Sequence, residues 1–550
     1  MKTRFFLTLL ILFSASCSYF IETFGDPEFS VTNIEDKKLS LVFSHNILGE
    51  THPCGCRHHP LGGLPQFAGK VHEIQSDHPT FYVDTGDTLF DTNNVPVSLR
   101  KSLLFKAQNL AKGLDLMKLK FFVPGDFDLA EGVAKLDEII KERNFATLLS
   151  NLKDDSKYFS KNKKFHLIQK GPHNLFLVGV LDPSLIRDSE DAKHFKAPRI
   201  AINEVLELIK KKGYKEKNPF HRLILLSHSG FEEDRKLAKT FPMFDWIIGA
   251  HSQKFLRTPS KVGKTKIVQV LSRNHYLGEI VFDLTKDRSG DQYLIHEMRD
   301  EQKDKLKPNP FLAWIGAHKE ELKKIQVAEQ DALFKKSNAL DGVFPYNTAN
   351  SCMECHSAQG DFWQGTAHSI AYGTLIKAKE ENNMSCLKCH SVGNNDPKGY
   401  RHSKKIAIVN DALSEQEQAK NLERYMRRVD KAFDFPGTVR DLSTKQTKKI
   451  AKDLSALEEK YKITHNFANV QCLNCHDKHV DHPFENFSGE KKTVDYEKKY
   501  KTMQGKCLSC HDSDQSPEWY EVQDNGLPGK LSEAKFVKKL KAVACPKDTD

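Results

Sequence analysis

Nowhere in this 550-residue chain do roughly 18 apolar residues run together, the length that a membrane-spanning helix needs. No transmembrane helix is therefore expected. No solenoid-type repeat of 20–50 residues appears, the one recurrence being of a short cysteine motif. Beyond Phe344 strand-like apolar runs almost vanish, so the last third cannot build an ordinary sheet core. Charge of one sign is not in great excess either. The formal net charge of +10 falls to +8 without Lys2 and Arg4, since residues 1–17 hold no acid. A balance of that size reads as a solvated surface, and no nucleic-acid partner is expected.

What the last third does have is four copies of Cys-x-x-Cys-His: Cys352–Cys355–His356, Cys386–Cys389–His390, Cys472–Cys475–His476 and Cys507–Cys510–His511. Two thiols three positions apart can add to the two vinyl groups of one haem, and the adjoining histidine can then reach the iron as an axial ligand. The competing reading, Cys-x-x-Cys pairs combining into four-cysteine zinc sites, leaves the invariable histidine unexplained. The motifs therefore imply four covalently attached haem c groups. Eight propionates would then offset the positive charge, and the porphyrins would replace the missing apolar core.

The N-terminus agrees. Lys2 and Arg4 precede the apolar run Phe5–Phe13, followed by Ser14, Ala15, Ser16 and Cys17. That is an export signal over residues 1–17, too short to span a bilayer. Small residues ending in cysteine also resemble a lipoprotein signal, although Ser14 stands where leucine is usual. The chain is thus expected in the periplasm or lipid-anchored to the bacterial envelope. Lipid on Cys17 would be its sole membrane attachment.

The cysteine motifs form two pairs, with 34, 86 and 35 residues between successive first cysteines. Around them lie Trp363-x2-Thr366-Ala367-His368, Lys398-Gly399-Tyr400, Asn469-Val470-Gln471 and Ser516-Pro517-Glu518-Trp519. From Tyr346 to Trp519 the chain resembles the tetrahaem cytochrome c-554-type family. The resemblance implies an electron carrier, with His368 capping the iron held by His511. It also implies that a histidine after the third motif caps the first haem. His482 is preferred to His479, which follows His476 so closely that it would aim at the same haem. The second haem, above His390, is often five-coordinate in the family, which would allow a small nitrogen compound to react there. The family's ligand for the third haem comes from beyond the fourth motif, where this chain has no histidine. His465 or His402 would have to serve instead.

Between Leu39 and Leu284 apolar runs alternate with helical patterns: Leu39–Phe43, Phe81–Val83, Phe121–Val123, Leu175–Leu181, Leu223–Leu226, Trp246–Ile248, Ile267–Leu271 and Ile280–Phe282. Several end in polar residues, where open α/β folds place their sites. The segments Asp84-Thr85-Gly86-Asp87, Gly125-Asp126-Phe127-Asp128, Ser227-His228 and Gly249-Ala250-His251-Ser252-Gln253 resemble the 5′-nucleotidase branch of the metallophosphoesterases. That family holds two metals bridging a hydroxide.

Carried over, Asp87, Asp126, His228 and His251 form one complete site for a single divalent ion, zinc, manganese or iron. The second site is lost, because Asn46 and Leu48 replace its Asp and His and Gln253 replaces another His. Phe127 stands where the catalytic histidine belongs. Nearby, Cys54-Gly55-Cys56 with His52, His58 and His59 offers either a further metal or redox site or two plain loop cysteines.

The expected architecture is a signal peptide (1–17) followed by an α/β metallophosphoesterase-like β-sandwich flanked by helices (36–290). A helical connector (300–341), a mainly α, haem-packed cytochrome domain (345–525) and a tail (526–550) complete it. The expected function is electron transfer between a redox-protein donor and acceptor. Phosphoester hydrolysis and small-nitrogen redox chemistry at the second haem are the alternatives.

Overall fold

The computed structural model describes residues 37–53, 60–336, 346–394, 396, 399–476, 496–513, 515–523 and 527–546. In the N-terminal half two six-stranded sheets face each other. The first comprises β1 (Lys38–Ser44), β2 (Thr80–Asp84), β3 (Leu119–Phe122), β4 (Ala146–Thr147), β11 (Tyr276–Asp283) and β12 (Gln292–Glu297), in the order β12-β11-β1-β2-β3-β4. The second comprises β5 (Phe165–Lys170), β6 (His173–Leu181), β7 (His221–His228), β8 (Trp246–Gly249), β9 (Ser260–Val262) and β10 (Thr265–Val268), in the order β5-β6-β7-β8-β10-β9. Each has a parallel centre (β1–β4; β6, β7, β8 and β10) with antiparallel strands added at its edges.

Successive side chains of a strand point to opposite faces, and β6 and β7 show what that requires. Leu175, Leu177, Ile224 and Leu226 enter the core between the sheets. Phe176, Val178, Leu223 and Leu225 face the other way, into a second core. The helices Pro198–Lys211 and Phe231–Thr240 close that core with Ile202, Val205 and Leu237. A strand covered on both faces must be apolar throughout, which is why these runs lack alternation. On the first sheet, helices α1 (Leu64–Asp77) and α2 (Arg100–Leu116) supply Phe67, Val71, Leu110 and Leu114. The first sheet continues past residue 290 through β12, whose half-buried Gln-Tyr-Leu-Ile-His-Glu pairs with β11. The domain therefore ends later than the sequence suggested.

The connector is dominated by one 27-residue helix, Pro310–Lys336. Phe311 and Trp314 lie against the first core, and His318 stacks between Phe105 and Trp314 at ring-centroid distances of 5.2 and 5.6 Å. Its polar face grips the turn that precedes the second cysteine motif. Lys319 Nζ donates to Ala378 O (2.9 Å), Lys323 pairs with Glu381, and Gln330 Nε2 donates to Asn382 O (2.7 Å).

The C-terminal half is built of short helices. Among its described residues only Glu415–Ala432 and Thr444–Tyr461 reach 18 residues, each started by a capping box, from Ser414 and Ser443. They pack over a smaller apolar cluster containing Tyr372, Leu387, Tyr400, Tyr425 and Phe467. Two two-stranded ladders complete it, Ala407–Val409 with Ile463–Asn466 and Tyr520–Val522 with Pro528–Leu531. Much of the expected tail is ordered structure: Phe536 of the helix Glu533–Val543 is wholly buried, 5.9 Å from Trp519.

Candidate metal and haem sites

The N-terminal ligands stand at strand ends. Asp87 follows β2, Asp126 follows β3, His228 ends β7 and His251 follows β8. Parallel strands put these ends at one edge of the sandwich, so distant positions converge. One ligand atom from each of the four lies within 4.8 Å of every other. His251 Nδ1 is 2.9 Å and His228 Nε2 3.2 Å from Asp126 Oδ1, and His228 Nε2 is 3.3 Å from Asp87 Oδ1. His228 Nδ1 donates to Thr85 O (2.7 Å), which fixes the tautomer and aims Nε2 at the cluster. Gly125 allows this approach, since a Cβ there would sit 2.3 Å from Asp87 Oδ1 and 2.4 Å from His228 Cε1.

Three of the four side chains are almost wholly buried, and His251 is 32 % exposed, so the cluster opens on one side. Burial disfavours charge on His228, yet the Asp87 and Asp126 carboxylates outweigh it and hold the imidazole well above its usual range. Burial likewise pushes Asp126 up, but its bonds to His228 and His251 carry it well below the ordinary carboxylate range. Two carboxylates and two imidazoles with converging lone pairs fit one divalent ion of the zinc, manganese or iron kind.

The positions of the second site are otherwise employed. Asn46 accepts from His251 N (3.2 Å) and donates to Leu271 O (3.2 Å), serving as a strut, and Leu48 is buried. Phe127 meets the site through its backbone N–H, which donates to Asp87 Oδ1 (2.9 Å).

In the C-terminal half the histidine N–H of three motifs donates to the first cysteine's carbonyl: His356 to Cys352 (3.0 Å), His476 to Cys472 (2.8 Å) and His511 to Cys507 (2.9 Å). The remaining motif lies within the helix Met384–His390. Each motif is thus one helical turn. Cys352 lies close to Cys472, and Cys389 close to Cys510, which sets the first motif beside the third and the second beside the fourth. None of the nine described cysteines forms a disulfide.

His390 donates from Nδ1 to Ala371 O (2.7 Å), and His511 Nδ1 bonds Ser516 Oγ (2.8 Å). These bonds engage Nδ1 of each ring, the nitrogen opposite the one that would serve a metal at Nε2. His368 faces His511 with 6.2 Å between ring centroids. Two imidazoles on opposite sides of one ion need two bonds of about 2 Å plus roughly 1.1 Å from each nitrogen to its ring centre, or about 6 Å. Donor chemistry and spacing therefore fit a haem held between these histidines.

Other signature residues support the ligands. Trp519 stacks on His511 (4.3 Å between centroids), Val470 N donates to His368 O (3.1 Å), and Trp363 Nε1 donates to Val470 O (2.9 Å). His402 is withdrawn as a ligand for the third haem. Its Nε2 bonds Asp331 (2.9 Å) and its Nδ1 accepts from Lys404 N (2.9 Å), leaving no nitrogen for iron. His465 lies in the ladder with its Nδ1 3.2 Å from Thr464 Oγ1. Cys17, Cys54, Cys56, His58, His59, His479 and His482 lie outside the described residues. The orienting acceptors Thr85 O and Ala371 O were missed in the sequence, because backbone carbonyls leave no residue signal. Ser516, by contrast, sits within a recognisable motif.

Residues 351–416 match the family model described as cytochrome c554 and c-prime. The N-terminal half is similar to the 5′-nucleotidase of Bos taurus, 26 % identical over 210 residues, covering 36 % of this chain and 35 % of the bovine one. It is also similar to Protein 5NUC of Lutzomyia longipalpis, 29 % identical over 216 residues, covering 38 % of this chain and 36 % of the relative. The chain therefore spans about a third of the length of these curated relatives. Two solved structures from Thermus thermophilus are also similar. They are the sulfate thiohydrolase SoxB (TM-score 0.41, 16 % identity, 53 % of this chain and 61 % of that one) and a 5′-nucleotidase precursor (TM-score 0.41, 15 % identity, 62 % and 67 %). The chain joins a 5′-nucleotidase-like domain to a segment similar to cytochrome c554 and c-prime.

Proposed function

We propose that this chain is an exported tetrahaem c-type electron-transfer protein whose phosphoesterase-like domain holds one divalent metal and has little or no hydrolytic activity. The observation that carries the reading is the neighbouring pair His368 and His511, with 6.2 Å between ring centroids and Ser516 bonded to Nδ1 of His511, which fits one iron held by both rings. Haem c would supply one-electron chemistry when bound, and two histidine ligands would favour passing electrons over binding gases. His511 and His368 would hold one iron, and His356, His390 and His476 would each hold another through the thioether-bound group of its own motif. Redox proteins would serve as donor and acceptor. The phosphoesterase reading is disfavoured by Asn46, Leu48, Gln253 and Phe127, which remove the second ion and the proton donor that charge stabilisation at a phosphate ester needs.

The test is the exported holoprotein. Four haems per chain by pyridine haemochrome and intact mass, with a low-spin ferric signal, are expected. Steady hydrolysis of p-nitrophenyl phosphate with added manganese would instead make it a phosphoesterase. Metal analysis should find one non-haem ion per chain, lost in Asp126→Asn. A high-spin ferric component, with turnover of hydroxylamine or nitrite, would favour the oxidoreductase reading at His390.

A further inference from the structure

The two halves meet where the second cysteine motif begins. Segment 46–53 starts at the metal cluster: Asn46 Oδ1 accepts from His251 N, and Leu48 N donates to Asp87 O (3.0 Å). It ends at His52, whose Nε2 is 2.8 Å from Glu380 Oε1 across the domain boundary. Glu380 Oε2 accepts from Asn383 Nδ2 (3.0 Å). Asn383 is in turn the N-cap of the helix that carries Cys386, Cys389 and His390, its Oδ1 accepting from Ser385 N. The contacts of Pro310–Lys336 to residues 378, 381 and 382 fix the turn on either side.

The pair is largely shielded, with side-chain exposures of 19 % for His52 and 14 % for Glu380. Burial lowers the His52 pKa and favours the neutral ring, so Nε2–H donates and Nδ1 accepts from Thr51 Oγ1 (3.1 Å). Burial also works against charge on Glu380, but the His52 and Asn383 bonds outweigh it and hold its carboxyl below the usual value. A carboxylate held below its usual pKa thus stands six residues before Cys386, just ahead of the helix that carries the second motif. Part of its compensation, the His52 bond, comes from the other domain.

We propose that Glu380 is a positioning residue that joins the metal-bearing domain to the second haem and sets that haem's potential, making it the port between the two halves. This rests on the haem reading above. A negative charge held beside a haem favours the more positive ferric state, and each donor to the carboxylate weakens that effect. Removing the charge and removing its donor should therefore move the potential in opposite directions.

The test is a spectroelectrochemical titration of the holoprotein. In Glu380→Gln, which keeps size and hydrogen bonding, one of the four midpoint potentials should rise while three stay. In His52→Ala the same potential should fall. Shifts of the same sign in both variants, or none in either, would overturn the proposal, since a purely structural contact predicts no opposed pair. Pyridine haemochrome assay on each sample separates the two readings. Fewer than four haems in the unaltered protein would refute the tetrahaem assignment itself, whereas four haems with unmoved potentials would refute only the role of Glu380.

Discussion

The two halves solve the same problem with different materials. In the N-terminal half two apolar sheets and their helices bury one another, and residues such as Leu177, Leu225 and Trp246 are at most 1 % exposed. At about 1.5–3 kcal/mol for each large apolar side chain buried, that half stands on conventional packing. In the C-terminal half the corresponding cluster is smaller and rich in tyrosine, and the cysteine motifs are only partly buried. Its helices enclose only that smaller cluster. A prosthetic group would complete it.

The sharpest way to break this comparison is to withhold haem attachment. Cytoplasmic expression, or serine at all eight motif cysteines, should abolish the protease resistance of 346–546 and leave 37–336 intact in limited proteolysis with mass mapping. Equal resistance of both halves would show that the C-terminal half folds on its polypeptide alone.

A smaller effect is expected at Arg222, fully buried against Asp291, with Nη2 2.8 Å from Oδ1. Arg222→Met should lower the stability of the N-terminal half by about 3–5 kcal/mol in urea unfolding, because it strands a buried carboxylate. Replacing both partners with apolar residues should recover most of the loss. The C-terminal transition should not move.

The smallest concerns Glu279, which bonds His296 Nε2 (2.6 Å) and Ser40 and lies 3.6 Å from His78. Burial pushes its carboxyl up, but the His296, His78 and Ser40 bonds win and bring it down to about 2, against 4.5 for the free group. A depressed acid stabilises above its unfolded pKa and loses that contribution as pH falls through its folded value. His78 is raised, chiefly by Glu279, so its contribution is full below 6.5 and fades as pH rises through its folded pKa. Glu279→Gln should therefore cost about 3 kcal/mol, most visibly between about pH 4.5 and 6.5. Thermal unfolding across that range checks it.

Much of the N-terminal fold was legible because buried strands announce themselves. All eight apolar runs became strands. The four that escaped notice, β4, β5, β9 and β12, are very short or half-buried edge strands such as Phe165–Lys170 and Ser260–Val262. Their polar residues imitate loops. The convergence of Asp87, Asp126, His228 and His251 was readable because sheet geometry brings strand ends together whatever the loops between them. Polar contacts across the chain were not readable. His402 with Asp331, and His52 with Glu380, have no period and no motif, only tertiary proximity.

The helix Pro310–Lys336, about 40 Å long at 1.5 Å per residue, is a splint with two unlike sides. Phe311 and Trp314 bond it greasily to the first half, while Lys319, Lys323, Gln330 and Asp331 hold the second through ions and amides. A seam of that second kind leaves no sticky surface when parted. Each module is thus suited to being produced, and evolutionarily exchanged, without its companion.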